Sequence, residues 1–261
     1  MDERGTNGAT AGEVGPPALE LAGVTKAFGG LVAVADVSLR VAERERRAVI
    51  GPNGAGKTTL FHLVSGELPV SQGHVRLFGE DVTHLSPPRR VGRGLRRTYQ
   101  ITNVFPALTV ADNVTLAALG LARRKFDLLW PVPRRGALGE RVERALADVD
   151  LAAKAHVRAR ELSHGEQRQL ELALALVGEP RVLLLDEPAA GLSAAERAHM
   201  AALVRNLPAT LTLVIIEHDM DLVLGLVDRV TCLHNGRVVA DESPATIRHN
   251  QTVQEIYLGA Q

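Results

Sequence analysis

Short, almost uninterrupted apolar runs recur along the chain, separated by longer stretches with helical spacing. The four runs are residues 48–50, 182–185, 211–216 and 230–233. Runs of this length, rich in Val, Ile and Leu, are typical of strands buried on both faces of a parallel sheet. The stretches with helical spacing are residues 57–65, 165–177, 194–205 and 220–226. The pattern predicts an α/β fold whose parallel strands are joined by helical crossovers.

A second pattern, alternation of apolar and polar residues, occurs near the start of the chain. It covers residues 18–24, 32–41 and 74–77, with turn glycines at Gly29, Gly30 and Gly73. Alternation predicts strands with one solvated face, so we expect a small antiparallel accessory sheet. Residues 109–176 are mostly helical in pattern, with an interruption at WPVPRRG (130–136), and the sequence contains neither a repeat nor a heptad array.

Composition limits the class of protein. A chain of 261 residues can bury one large core, or a core with an appended lobe. The longest apolar runs are far shorter than the roughly 18 to 20 residues that span a bilayer. Residues 1–17 lack an apolar segment and are predicted to be a disordered tail. The single cysteine, Cys232, indicates a reducing compartment, with the cytoplasm as the default, and we expect it to be a buried strand thiol.

Charge is balanced overall but not locally. Thirty basic and thirty acidic residues give no general attraction to nucleic acid, and no nucleic-acid partner is expected. Between Arg89 and Arg135, however, ten basic residues face only two acidic ones. This segment is either a solvated helix face or a surface attracted to anionic lipid headgroups or to a partner protein.

The stretch GPNGAGKTT (51–59) fits the phosphate-loop pattern G-x-x-x-x-G-K-[ST] through Gly51, Gly56, Lys57 and Thr58. An apolar strand precedes it and a helical pattern follows, which makes a chance glycine-rich turn a poor alternative. Glycines let backbone amides point at phosphate oxygens, and the helix N-terminus adds partial positive charge. Lys57 is predicted to neutralise the β and γ phosphates of ATP, and the Thr58 hydroxyl to bind Mg²⁺.

The stretch RVLLLDEP (181–188) supplies acidic groups for the same chemistry. Four apolar residues form a predicted buried strand that ends at Asp186, at the sheet edge where ligands bind in open α/β folds. Asp186 is predicted to hold Mg²⁺ through water. Glu187 is then placed to orient or deprotonate the attacking water. A solvated strand end is the structural alternative.

The stretch LSHGEQ (162–167) opens a helix. Ser163 and Glu166 form the capping-box pattern S-x-x-E, which is a sufficient structural reason for both residues. Gly165 in the first turn costs about 0.5 to 1 kcal/mol relative to alanine, so a close approach to the backbone is expected there. A second phosphate at this helix N-terminus is one explanation.

Together these motifs resemble those of the ATP-binding cassette (ABC) ATPases. The matching elements, in order, are the phosphate loop 51–59, Gln100 in RTYQ, LSHGEQ, LLLDEP (183–188), AAGLS (189–193) and His218 in IIEHDM. The resemblance implies a P-loop NTPase cassette with a RecA-like core, an antiparallel β accessory sheet and a helical signature subdomain. It also implies that two cassettes sandwich ATP, so that Ser163, Gly165 and Glu166 of one chain contact nucleotide held by the other.

The resemblance also assigns site residues and subdomains. Phe28 is expected to stack on adenine, Gln100 to sense Mg²⁺ and water while linking to a transmembrane partner, and His218 to grip the γ-phosphate. The implied nucleotide-binding residues of the loop are Gly51, Pro52, Asn53, Gly54, Ala55, Gly56, Lys57, Thr58 and Thr59. The expected divisions are core with antiparallel sheet at 18–100, signature subdomain at 101–177, core at 178–243 and a C-terminal helical segment at 244–261.

More specific phrases resemble the ATP-binding subunits of Liv-type importers of branched-chain amino acids, urea and amides. They are FGGLVAVADVSLRV (28–41), LTVADNV (108–114), DEPAAGL (186–192) and the terminal IYLG (256–259). The resemblance implies a peripheral subunit on the cytoplasmic face of the plasma membrane. Its implied partners are an identical or related cassette, two membrane permeases and, indirectly, an external solute-binding protein. Branched-chain amino acids are the expected cargo, with urea or a short-chain amide as the alternative.

The sequence departs from the family pattern at four positions. His164 and Glu166 stand where Gly and Gln are favoured, Ser193 where Asp or Asn is common, and Arg44 where a turn glycine is usual. The phosphate-loop lysine and the strand-end acids are intact, so an active ATPase is predicted. A non-hydrolysing scaffold and a non-transport cassette, such as a translation factor or DNA-repair ATPase, are the remaining alternatives.

Overall fold

The computed structural model describes residues 15–98, 104–120 and 136–258. These residues form the strands β1 (Leu19–Phe28), β2 (Leu31–Val41), β3 (Arg46–Ile50), β4 (Gln72–Leu77), β5 (Glu80–Asp81), β6 (Leu95–Arg97), β7 (Val182–Asp186), β8 (Thr212–Ile216), β9 (Arg229–His234) and β10 (Arg237–Glu242). They form the helices α1 (Lys57–Ser65), α2 (Pro87–Val91), α3 (Val110–Gly120), α4 (Ala137–Ala147), α5 (His164–Leu176), α6 (Ala194–Asn206), α7 (Met220–Leu224), α8 (Pro244–Ile247) and α9 (Gln251–Leu258). Single 3-10 turns lie at Ala152–Lys154 and Ala159–Glu161.

The strands form two sheets. The order β10-β9-β3-β8-β7-β6 builds a six-stranded sheet, parallel except at β10, which pairs with β9 in the antiparallel direction. The order β2-β1-β4-β5 builds a four-stranded antiparallel sheet. The parallel sheet with crossovers and the antiparallel accessory sheet are therefore as predicted. The exact subdomain boundaries stay a prediction.

The parallel sheet separates two apolar clusters. In β7, Leu183 and Leu185 belong to the cluster packed on α3 to α6, whereas Val182 and Leu184 belong to the cluster shared with α1 and the antiparallel sheet. Alternate residues of a strand point to opposite faces, so a continuous apolar run is needed to fill both clusters. This packing fixes β7 and therefore places Asp186 at its carboxyl end.

Three strands show neither the apolar runs nor the alternation that predicted the other strands. β5 has two residues, and β10 (RVVADE) carries charged residues at both ends. β6 reads LRR and pairs with β7 at the edge of the parallel sheet. Because two of its three residues are arginines, β6 lacks the apolar run that indicates a buried strand.

The basic segment is used differently from what its composition predicts. Arg90 is 1% exposed. Its guanidinium donates hydrogen bonds to the backbone carbonyls of Leu63, Val64, Thr83 and Leu85. Burial lowers the pKa of Arg90 to about 10. Arg97 is likewise buried and pairs with carboxylates. The prediction of a solvated or lipid-facing surface is wrong for these two residues, because Arg90 hydrogen-bonds backbone carbonyls and Arg97 pairs with carboxylates inside the fold. Residues 99–103 and 121–135 lie outside the described ranges.

Two further predictions concern single residues. Cys232 is buried in β9, and burial raises the pKa of its thiol to about 11. Arg44 has φ +67°, so it occupies the left-handed conformation that explains the usual glycine. Within the described ranges, no helix has the length and apolar character needed to cross a membrane.

Candidate functional site

The phosphate loop lies between β3 and α1 and depends on two glycines. Gly51 has φ +146° and Gly56 has φ +101°. A Cβ at Gly51 would lie 2.1 Å from the carbonyl oxygen of Leu233, and one at Gly56 would lie 2.5 Å from that of Ala33. Both contacts are with backbone, which cannot swing away as a side chain could. The loop therefore requires glycine at both positions.

Lys57 closes this loop from within. Its Nζ donates to the carbonyl oxygens of Gly51 at 2.7 Å and Pro52 at 3.0 Å. Burial lowers the pKa of Lys57, and the nearby carboxylates of Glu187 and Asp186 partly oppose that shift. The ammonium group of Lys57, which is predicted to bind phosphate, therefore lies near the loop carbonyls and the carboxylates of Asp186 and Glu187.

The N-terminus of α1 lacks an internal cap. Gly56 is the N-cap in a left-handed conformation, no described side chain caps it, and the first turn contains no acidic residue. The first amides of a helix need a partner, and an anion is a suitable one. A cavity of about 180 Å³ lies here. It is lined by Ala33, Asn53, Gly54, Ala55, Gly56, Lys57, Thr58, Thr59, Glu187 and His218.

Asp186 ends β7 as a buried carboxylate. Its Oδ2 accepts from Nη2 of Arg97 at 2.6 Å, whereas its Oδ1 is buried and has no hydrogen-bond partner among the described residues. A buried, unpaired carboxylate oxygen is costly, so a ligand for it is expected. Mg²⁺ prefers oxygen donors and keeps several waters, so one carboxylate and the Thr58 hydroxyl suffice as protein ligands. These residues fit the ion, and no cluster of three or more His, Cys, Asp or Glu with metal-binding geometry occurs in the described parts of the chain.

Glu187 and His218 meet beside this cavity. Oε1 of Glu187 lies 2.5 Å from Nε2 of His218. Glu187 has φ +50°, an unusual value for a residue with a side chain, and its amide is held by the carbonyl oxygen of Ile216 at 3.0 Å. Strained backbone of this kind persists where surrounding structure enforces it and is frequent at functional sites. Glu187 thus keeps an unusual backbone conformation at the position where its carboxylate contacts His218.

Sequence reasoning missed Glu217. This side chain is 4% exposed and accepts hydrogen bonds from the amides of Ala189 at 2.9 Å and His218 at 3.1 Å. Burial raises its pKa. Glu217 therefore fixes the two loops that carry Glu187 and His218. An acidic residue directly after a buried apolar run was the available signal.

Ser163 and Glu166 form the predicted capping box at α5. The amide of Glu166 donates to Oγ of Ser163 at 3.3 Å, and the amide of Ser163 donates to Oε2 of Glu166 at 3.0 Å. Glu166 also pairs with Lys154, and this contact, together with the bonds to Ser163, lowers its pKa. The helix N-terminus is thus satisfied by its own side chains.

Gly165 lies against a side chain of the neighbouring helix α6. A Cβ there would lie 2.7 Å from Oε1 of Glu196 on α6. The same carboxylate accepts from the amide of Ser193 and forms a second capping box with that residue. The contact is with the end of a flexible side chain, which can move, so it does not by itself require glycine, and a phosphate there stays a prediction.

The comparisons with known proteins identify the class. The sequence matches the ABC transporter family over residues 34–190, more than half of the chain. The chain belongs to this family. BraF of Pseudomonas aeruginosa, a high-affinity branched-chain amino acid transport ATP-binding protein, is 38% identical over 250 residues, covering 93% of this chain and 98% of BraF. The protein of the same description from Escherichia coli, LivG, is 37% identical over 251 residues with the same coverage.

A relative from a different transport system is nearly as similar. LptB of Acidithiobacillus ferridurans, a lipopolysaccharide export system ATP-binding protein, is 36% identical over 244 residues, covering 93% of this chain and 97% of LptB. Among solved structures, an ATP-binding cassette of an ABC transporter has a TM-score of 0.82 at 28% identity, covering 92% of this chain and 98% of that one. The same cassette in its ADP conformation gives 0.80 at 28% identity, covering 93% and 98%. The predicted ABC cassette fold and ATPase class are confirmed.

The cassette does not bring all predicted residues to one place. Residues 53–59 of the phosphate loop, Glu187 and His218 line the same cavity, whereas Asp186, Ser163 and Gly165 do not line it. Phe28 ends β1 with 46% exposure, its ring centroid 5.0 Å from Nζ of Lys26. Gln100 lies outside the described residues.

Proposed function

We propose that this chain is the ATP-hydrolysing subunit of a branched-chain amino acid importer. The observation that carries the hydrolytic part is the 2.5 Å contact of Glu187 with His218 at the cavity of the phosphate loop. BraF and LivG, branched-chain amino acid transport ATP-binding proteins matched over 93% of this chain, support the cargo.

The proposed chemistry assigns one task to each group. The loop amides and Lys57 bind the phosphates of ATP, and Thr58 and Asp186 hold Mg²⁺, which when bound offsets the charge that develops on the phosphates. Glu187 accepts a proton from the attacking water. His218 contacts the Glu187 carboxylate and lines the cavity, which supports the proposal that it also contacts the terminal phosphate.

The proposed assembly follows from the separation of the two helix N-termini. Ser163, Gly165 and Glu166 lie outside the cavity of their own chain, which supports their use on nucleotide held by an identical or related cassette. Phe28 is proposed to stack on adenine, since its ring is exposed. Gln100 keeps its predicted role toward metal, water and a permease. Two permeases and an external binding protein complete the proposed importer at the cytoplasmic face of the plasma membrane.

Hydrolysis by Glu187 is tested by Glu187→Gln. We expect ATP turnover to fall at least about tenfold while ATP binding is preserved, because the amide cannot accept the proton. Glu179→Gln, an exposed glutamate paired with Arg144, serves as the matched control and keeps the wild-type rate. Equal turnover in the Glu187→Gln variant and wild type would remove Glu187 from the mechanism.

The transport role is tested by co-purification. The Glu187→Gln protein is trapped with ATP in solubilised membranes of the source organism, and the proteins that accompany it are identified. Two polytopic permeases of an amino acid importer and a second cassette support the proposal. Recovery of lipopolysaccharide-export components, or of a urea or amide importer, contradicts the cargo. Recovery of ribosomes or DNA contradicts transport.

A further inference from the structure

A buried arginine holds the acidic end of β7. Arg97 donates from Nη2 to Oδ2 of Asp186 at 2.6 Å and from Nη1 to Oε2 of Glu67 at 2.9 Å. The side chains of Arg97 and Asp186 are 5% and 1% exposed, so water screens this pair little. Glu67 follows α1, and one guanidinium therefore connects the phosphate-loop helix with the proposed magnesium ligand.

The pairing gives the two oxygens of Asp186 different roles. Oδ2 is taken by Arg97, whereas Oδ1 is buried and lacks a hydrogen-bond partner within the described residues. The carboxylate cannot rotate without breaking a short, charge-assisted bond. Arg97 thus decides which oxygen of Asp186 remains for a ligand.

The backbone around Arg97 fixes this choice. β6 pairs in parallel with β7 and places Arg97 opposite Leu184. The amide of Thr98 donates to the carbonyl oxygen of Leu184 at 2.9 Å, and the amide of Asp186 donates to Oγ1 of Thr98 at 3.3 Å. The guanidinium carbon lies 5.8 Å from the ring centroid of Phe61. Arg97 is therefore anchored on the same strand pair that carries the carboxylate.

We propose that Arg97 is a positioning residue for the metal ion: by holding Oδ2 of Asp186, it presents Oδ1 to Mg²⁺ and its waters. The inference rests on the proposed magnesium site. Groups that orient a metal ligand typically change metal affinity 10- to 100-fold when they are removed. An ion pair that served only stability would change the melting temperature and leave the metal affinity of the folded protein unchanged.

The test uses Mn²⁺ as a spectroscopic probe in place of Mg²⁺. Mn²⁺ binding is titrated by electron paramagnetic resonance at saturating ADP, and ADP affinity is measured separately in EDTA. Arg97→Gln is expected to raise the Kd for Mn²⁺ at least about tenfold and to leave the metal-free ADP affinity within about twofold. The Kd of Arg97→Lys for Mn²⁺ is expected to lie between those of wild type and Arg97→Gln, because lysine keeps the positive charge but lacks the paired donors of the guanidinium. Glu67→Gln removes the charge of another carboxylate that pairs with Arg97 and is the matched control, with Mn²⁺ affinity within about twofold of wild type.

The possible results distinguish failure of the positioning role of Arg97 from failure of the proposed magnesium site. Mn²⁺ affinity in Arg97→Gln that equals or exceeds wild type overturns the positioning role and leaves the magnesium site standing. Absence of ADP-dependent Mn²⁺ binding in the wild type, or unchanged binding in Asp186→Asn, overturns both. If Arg97→Gln fails to fold, Arg97→Lys decides: wild-type Mn²⁺ affinity in that variant contradicts the proposal, and weaker affinity supports it.

Discussion

The N-termini of α1 and α5 are two helix ends of one chain built in opposite ways. α1 begins after Gly56, with a left-handed cap residue and no side-chain cap from the described residues. α5 begins after Ser163, with a complete capping box and with the carboxylate of Glu196 beside Gly165. One end offers free amides, and the other is satisfied from within.

This difference supports the proposal that the N-terminus of α1 is a nucleotide-binding site, whereas that of α5 contacts nucleotide held by another cassette. The first amides of α1 have no side-chain cap among the described residues and suit an anion, and Lys57 adds a buried positive charge beside them. At α5 an incoming phosphate must share or replace internal carboxylate contacts. We therefore expect α1 to bind nucleotide in the isolated chain and α5 to act only on nucleotide that a second cassette presents.

The largest expected effect is on ADP affinity. Gly56→Ala should weaken ADP binding by at least about 100-fold, because its Cβ collides with the carbonyl oxygen of Ala33 and the left-handed conformation is lost. Isothermal titration calorimetry measures this. Gly165→Ala is the matched glycine control at the other helix and should remain within about twofold of wild type. Similar losses in both variants would erase the distinction between the two helix ends.

An intermediate effect concerns the free energy of unfolding. Ser163→Ala removes the cap of α5 and should lower the stability by about 1 kcal/mol. Thr58→Ala, in the first turn of the uncapped helix α1, should change it by less than about 0.5 kcal/mol. Urea unfolding of the two variants compares them directly. A larger loss in Thr58→Ala would show that α1 depends on a cap supplied by its own chain.

The smallest expected effect is on the pH dependence of the free energy of unfolding, through Glu166 in the first turn of α5. The contact with Lys154 is the main cause that lowers the pKa of Glu166 below its ordinary value of 4.5. A lowered folded-state pKa adds stability above that ordinary value, and the stability is lost as the pH falls through the folded pKa. Wild type should therefore exceed Glu166→Gln by about 0.5 kcal/mol at pH 7, with no difference in strongly acidic solution. Urea unfolding across pH checks this, and a gap that persists in acid would contradict it.

The phosphate loop and Asp186 were predictable because their signals are local. A strand, a glycine-rich turn and a helix follow one another at residues 46–65, and the run of β7 ends directly at its acid. The same holds for the capping box of Ser163 and Glu166. Local spacing therefore gave both the elements and their boundaries to within about two residues.

The contacts that tune the site were not predictable, because they join residues distant in sequence. Arg97 meets Asp186 across 89 positions, and Glu196 reaches Gly165 from another helix. The strand that carries Arg97 has three residues and looks like part of a basic surface. Only the fold shows that this arginine is buried against a carboxylate.

The central claim, that α1 binds phosphate alone while α5 does not, is tested most directly by nuclear magnetic resonance. The amide signals of the isolated chain are followed during titration with Mg²⁺ and ADP, which lacks the γ-phosphate proposed to recruit a second cassette. We expect large shifts at Gly54, Gly56, Lys57 and Thr58, and no shift at Gly165 or Glu166. Equal shifts at both helix ends, or shifts at α5 alone, would contradict it.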